Sequence, residues 1–148
     1  VFGKLDTNVA LARFCNNFSS MLASGVPILQ ALDIVGSTSG NYVIDSSSKR
    51  VGRLVERGYR LADSMSTEKI FPNMLVQMVA IGEDSGAIDK MLSSAGRAYD
   101  EEAQSMAKQL TSLLEPLMIL FLGVVVGFMV VALYMPMFSM FDAINGQA

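Results

Sequence analysis

Leu117 to Met135 reads LMILFLGVVVGFMVVALYM, nineteen consecutive residues without a charge. As a helix rising about 1.5 Å per residue it would measure roughly 28 Å, close to the hydrocarbon thickness of a bilayer. Twelve of the nineteen are Leu, Ile, Val or Phe. At about −0.3 to −0.6 kcal/mol each on an insertion scale, they favour insertion by roughly 4 to 7 kcal/mol. The core helix of a water-soluble domain is apolar on one face and not all round, so this segment is expected to cross a membrane. Within it Gly123 and Gly127 form a GxxxG pair, whose spacing puts two side-chain-free patches on one helix face and suits close approach of another helix. The nineteen hold no ionisable residue, which argues against a proton or ion path along this helix alone.

The flanks set the orientation. Arg97 and Lys108 lie on the N-terminal side, and no Lys or Arg follows the span. The positive-inside rule therefore places residues 1–116 in the cytoplasm, residues 117–135 in the bilayer and a short tail, 136–148, on the far side.

Composition closes most routes to an enzyme. The 148 residues include no histidine and one cysteine, Cys15, so a histidine-based triad, a Cys/His zinc site and an internal disulfide are all out of reach. No phosphate-cradling GxxxxGK[ST] loop and no metal-ligand cluster of defined spacing is present, and no cofactor is expected. With 11 basic and 14 acidic residues the net charge is −3, which gives no general reason to bind nucleic acid. A mean hydropathy of +0.41 agrees with a membrane segment. The start, Val1 to Asn8, carries Lys4 and Asp6 and no apolar run, so it does not read as a signal peptide. A chain that opens on Val1 is expected to be a fragment or a processed product.

The residues before the span read as an all-α bundle of six helices. Leu11, Phe14, Cys15, Phe18, Met21 and Leu22 recur at three and four, and Arg13, Asn16, Asn17, Ser19 and Ser20 fill the other face. Ser24 and Gly25 end that helix, and Pro27 suits the first turn of a second one carrying Ile28, Leu29, Leu32 and Val35. A polar break from Ser37 to Asn41 leads to a third helix through Ile44, Val51, Leu54 and Val55, closed by Gly58. A short turn from Leu61 to Ser66 and a helix after Phe71-Pro72 follow. The sixth helix begins after Gly86, with Leu92, Ala95, Tyr99, Ala103, Met106, Leu110, Leu113 and Leu117 at intervals of 3, 4, 4, 3, 4, 3 and 4. That stripe runs straight on into the membrane segment. Pro116, which lacks an N–H, predicts a kink or a fresh start at the bilayer surface, with Glu115 in the headgroup region.

Two polar motifs are candidates for function. Lys49, Arg50, Arg53, Arg57 and Arg60 place five of the eleven basic residues within twelve positions, as a solvated face or as a contact for an acidic partner or anionic lipid. Asp100, Glu101 and Glu102 form an opposing acidic run that could pair with them within the bundle or between subunits. In the loop GEDSG, Gly82 to Gly86, the DSG text resembles an aspartic-protease half-site, but that chemistry needs a paired carboxylate on a β-loop and this string joins two helices. It is not a nucleophile elbow either, since no histidine exists to serve Ser85. Its simpler reading is a helix boundary, with Gly82 ending one helix and Ser85 or the neighbouring acids capping the next. As an acidic, glycine-flanked turn, Glu83 and Asp84 could also meet a partner. Asn17-Phe18-Ser19 matches a glycosylation sequon but falls mid-helix on the expected cytoplasmic side. Cys15 sits in the apolar stripe as a small core residue.

Four blocks together carry a resemblance: ARF (Ala12 to Phe14), ASGVPILQAL (Ala23 to Leu32), FPNMLVQMVAIGEDSGAIDKML (Phe71 to Leu92) and EPLMILFLGVVVGFMVVALYMPMF (Glu115 to Phe138). In this order, from Phe2 to about Phe141, the chain resembles the type II secretion protein F family, which includes the type IV pilus biogenesis protein C group of inner-membrane platform proteins. Full chains of that family are similar to two copies of a six-helix cytoplasmic domain separated by membrane helices. Glu115-Pro116 stands where the first copy usually has Tyr-Pro or Thr-Pro, so this chain resembles the second copy plus the final span. The resemblance implies a non-enzymatic scaffold of the bacterial inner membrane with a periplasmic tail. Its implied partners are a cytoplasmic hexameric assembly ATPase, pilin or pseudopilin, other inner-membrane assembly proteins, the lipid bilayer and further copies of itself. A membrane-anchored helical adaptor or sensor unrelated to secretion, and a membrane hydrolase using Asp84 or Ser85, are the rival readings.

Overall fold

Helix α1 (Phe2–Ala23) buries Leu11, Phe14, Cys15 and Phe18, the three-and-four stripe of the sequence, at no more than 1% exposure each. The computed structural model describes residues 2–146. Five further helices follow: α2 (Ile28–Thr38), α3 (Tyr42–Glu56), α4 (Leu61–Ser66), α5 (Asn73–Ser85) and α6 (Ile88–Asn145). Among the described residues there is no strand. The chain divides inside α6 into two compact units, one reaching to Met106 and the other starting at Ala107.

The first unit is the bundle. Its core takes Leu32 and Val35 from α2, Ile44 and Val51 from α3, Leu61 and Met65 from α4, Leu75 and Val79 from α5, and Leu92 and Ala95 from α6. Phe14 centres it, with its ring 5.6 Å from that of Phe18 and 5.4 Å from that of Phe71. Each distance suits a tilted aromatic contact. Cys15 is fully buried, and burial pushes its thiol up to about 12.

Glycine sets the corners. At the end of α1, Gly25 takes φ +83°. There the Val26 N–H donates to the Met21 carbonyl and the Gly25 N–H to that of Leu22, both at 3.0 Å, which is a Schellman closure. Gly58 does the same after α3 at φ +92°, with Tyr59 N–H donating to Leu54 O. Asn41, in the expected polar break, caps α3 by accepting from the Val43 and Ile44 N–H groups at 2.9 and 3.3 Å.

Two expectations need correction. Gly82 does not end α5; the helix runs on through Ser85 and closes at Gly86, in the left-handed region at φ +69°. Gly82 is instead where the start of α6 comes closest, since a Cβ there would lie 2.7 Å from Ile88 Cα. Neither Pro116 nor the proline at 136 starts or ends a helix, because α6 runs from Ile88 to Asn145 with both inside it. One proline removes one i→i−4 bond, and a helix flanked by many others survives that loss, as membrane helices commonly do. Helix α6 also takes in most of residues 136–148, up to Asn145; residues 147 and 148 lie outside the described residues, as does Val1.

Candidate partner-binding surface

Basic side chains line α3 and the approach to α4, and their neighbours divide them into two sets. Lys49 donates to Asp45 Oδ2 at 2.9 Å, an i,i+4 pair that raises the Lys49 pKa through that hydrogen bond and the adjacent charge. Arg50 makes a fork with Glu68, Nε to Oε1 at 2.7 Å and Nη2 to Oε2 at 2.6 Å. Arg60 donates to Asp84 Oδ1 at 2.6 Å and lies 3.9 Å from Glu83 Oε2. Arg53 and Arg57, one helical turn apart and both exposed, make no ion pair among the described residues. Arg53 also borders a cleft of about 480 Å³ between α2 and α3, together with Leu29, Asp33, Lys49, Gly52 and Glu56.

The structure thus joins the two motifs that the sequence kept apart. Arg60 meets the GEDSG turn, and Glu83 reaches across to cap α4 by accepting from the Leu61 N–H at 2.7 Å and the Ala62 N–H at 2.9 Å. Neither Ser85 nor these acids cap α6, as the sequence suggested. Ser85 donates to the Ile81 carbonyl of its own helix at 2.8 Å. Asp84, 71% exposed, remains open to a partner on one side. Among the described residues no three His, Cys, Asp or Glu side chains gather to hold a metal ion. The acidic run on α6 does not pair with the α3 cations either; its one described ion pair is Glu102 with Lys4, at 3.9 Å.

Sequence reasoning did not find the Ser47–Arg50–Glu68 cluster. Ser47, 1% exposed, donates to Glu68 Oε2 at 2.8 Å and accepts from Arg50 Nη2 at 2.9 Å. A serine one turn before an arginine was the available signal, but Glu68 lies eighteen residues on. Hydrogen bonding to Arg50 first, and to Ser47 after it, holds the Glu68 carboxyl below the usual carboxylate value. A lowered folded pKa gives stability that is present above the unfolded value, about 4.3, and is lost as pH falls through the folded one. Denaturant midpoints followed by circular dichroism should therefore drop between pH 5 and 3, and Glu68→Gln should flatten that drop while lowering the midpoint at pH 7. An unchanged acid limb in Glu68→Gln would remove the cluster from the account.

The second unit carries the apolar segment. From Leu117 to Tyr134 every large apolar side chain is exposed, between 42% and 78%. Helix α6 is the one described helix long and apolar enough to cross a membrane. A Cβ on Gly123 or Gly127 would meet nothing within 4 Å beyond the adjoining residues and backbone of its own helix. The described residues thus form a helical bundle with ion-paired surface cations whose last helix carries an exposed apolar segment long enough to cross a membrane.

Comparison with known proteins narrows the class. The family described as "Type II secretion system (T2SS), protein F" matches residues 14–136. The chain is 40% identical over 145 residues to a type IV pilus assembly protein PilC of Pseudomonas aeruginosa, covering 98% of this chain and 39% of that protein. A type IV pilus assembly protein PilC of Thermus thermophilus is 38% identical over 148 residues, covering 99% and 36%. A type II secretion system protein F of Pseudomonas aeruginosa is 31% identical over 138 residues, covering 93% and 34%. The chain belongs to the type II secretion system protein F family, and it spans a little over a third of the length of these relatives.

Proposed function

We propose that this chain is the membrane-proximal part of a non-enzymatic platform in the bacterial inner membrane that serves assembly of a type IV pilus or a type II secretion system. In this reading residues 1–116 are cytoplasmic, residues 117–135 cross the bilayer and the tail is periplasmic. The bundle meets a cytoplasmic hexameric ATPase, and the apolar helix packs against pilin or pseudopilin and other membrane components through the Gly123 and Gly127 face. The observation that carries it is the pairing pattern of the cations. Lys49, Arg50 and Arg60 are held by carboxylates of their own chain, whereas Arg53 and Arg57 are exposed with none among the described residues. Two uncompensated guanidinium groups one turn apart suit carboxylates of another protein, because Arg forms planar, two-pronged contacts with them. The exposed carboxylate of Asp84 and the capping turn around Glu83 offer the complementary acidic contact nearby on Arg60.

Arg53→Glu combined with Arg57→Glu should reduce pilus or secretion assembly in cells by at least about tenfold, since reversal of charge at a contact costs several kcal/mol. Folding should be intact, read from Cys15, whose buried thiol reacts with a maleimide only when the bundle opens. Normal assembly with both reversals in place would overturn the assignment of this surface.

A further inference from the structure

The cleft between α2 and α3 asks more of a partner than acidity. The two helices touch near their connection, where a Cβ on Gly36 would lie 2.7 Å from Ser48 Cβ. One turn further along α3 they have parted. A Cβ on Gly52 would meet Leu32 Cδ2 at 3.8 Å and nothing else within 4 Å beyond the adjoining residues and backbone of its own helix. The splay leaves a groove of about 480 Å³, room for a few side chains and not for a folded domain. Gly52, with no side chain of its own, and Leu32 form its floor, and Leu29, 38% exposed, adds an apolar edge. Ser48 borders the narrow end, buried, with a hydroxyl that has no hydrogen-bond partner among the described residues.

The rims carry both signs. Asp33 stands on α2 and Arg53 and Glu56 on α3, all three exposed and without an ion pair among the described residues. Lys49, on the same wall as Arg53, is held by Asp45. A purely acidic segment would suit Arg53 and be repelled by Asp33 and Glu56, and a purely basic one would fail at Arg53.

We infer that the groove receives one amphipathic helix of the cytoplasmic ATPase. It lays an apolar side chain over Gly52, with a carboxylate beside it for Arg53 and a cation on the other flank for Asp33 and Glu56. Residues three and four apart share one helix face, so a two-turn stretch supplies all three groups. Such docking rests on the proposed ATPase contact and adds to it the groove and the mixed charge of the segment that enters it.

The test titrates the full-length protein, held in lipid nanodiscs, with the purified assembly ATPase of the same organism. Gly52→Leu fills the groove from its floor and should weaken binding at least about tenfold, and Asp33→Lys, at an exposed rim position, at least about fivefold. In both variants Cys15 should stay as shielded from maleimide as in the parent protein. A photoreactive phenylalanine analogue in place of Gln30, which also lines the groove, should capture one ATPase segment. Mass spectrometry of that segment should find a large apolar residue with a carboxylate and a cation each within four positions of it. Weakening by Arg53→Glu combined with Arg57→Glu, with Gly52→Leu and Asp33→Lys at parental affinity, would overturn the groove and leave the ATPase contact standing. A captured segment that is uniformly acidic would do the same. No binding by the parent protein, or indifference to every variant, would remove the contact itself and the groove with it.

Discussion

Gly82→Ala lowers the stability of the bundle by about 2–3 kcal/mol, although alanine in a helix interior normally adds about 1 kcal/mol over glycine. The inversion comes from backbone, which moves less readily than a side chain. The new Cβ would lie 2.7 Å from Ile88 Cα and 3.1 Å from Ile88 N, at the first residue of α6, and 3.2 Å from Met91 Cγ. Relief requires the corner between α5 and α6 to open, which also strains the Ala87 N–H bond to the Gly82 carbonyl at 2.8 Å. Gly52→Ala is the matched control, because its nearest neighbour would be Leu32 Cδ2 at 3.8 Å. Cys15 labelling rates should rise by roughly thirtyfold to a hundredfold for Gly82→Ala and stay level or fall for Gly52→Ala. Equal rates for the two variants would show that the corner has slack.

Glu83→Ala should cost about 2–3 kcal/mol, because it uncaps α4. That helix has six residues and no side-chain cap from Arg60, the N-cap residue just before it. Both oxygens of Glu83 accept backbone donors, from Leu61 and Ala62. Glu83→Gln is therefore expected to be nearly as damaging as Glu83→Ala, since its NH₂ would face one of two N–H groups and leave that donor unmet. Leu61 and Met65 anchor α4 in the core at 1% and 0% exposure, so loosening the helix exposes buried apolar surface. Hydrogen exchange at Leu61 and Ala62 reads the effect locally. Protection of both amides in Glu83→Gln at the level of the parent protein would show that the cap is dispensable.

Much of this fold follows from local patterns, and the reason is physical. Helix periodicity, the glycines at 25 and 58 and the proline at 27 act through close neighbours in the chain, so the end of α1 and the boundaries of α2 to α4 are visible in the text, whereas the apolar stripe places the start of α1 near Thr7 and the helix begins at Phe2. Where contacts are long-range the text falls silent. Gly82 reads as a stop signal because glycine usually is one, yet its role is set by Ile88 on another helix. Glu83 reads as a cap for the following helix, while it serves the N-terminus of α4 more than twenty residues earlier in the chain. Pro116 reads as a kink or a fresh start, but no new helix starts there, because a helix of 58 residues absorbs the loss of one hydrogen bond.

The candidate surface shows the same division. Composition reveals a basic cluster, but only the partners separate its members. Three of the five cations are neutralised by Asp45, Glu68 and Asp84, which leaves Arg53 and Arg57 as the two with no ion pair among the described residues. Charge runs alone also suggested a match between this cluster and Asp100 to Glu102, and the packed bundle does not make it.

The central claim is that one helix, α6, contributes to a water-facing bundle and then crosses a bilayer. Ser37 and Gly146 lie on opposite sides of the apolar segment in sequence, and both are exposed. Ser37→Cys and Gly146→Cys, each expressed in bacterial cells, can be challenged with a membrane-impermeant maleimide while Cys15 stays buried. Labelling of Gly146→Cys in intact cells, with Ser37→Cys labelled only after permeabilisation, is the result expected. Labelling of both, or of neither, in intact cells would place the two ends on one side and contradict the account.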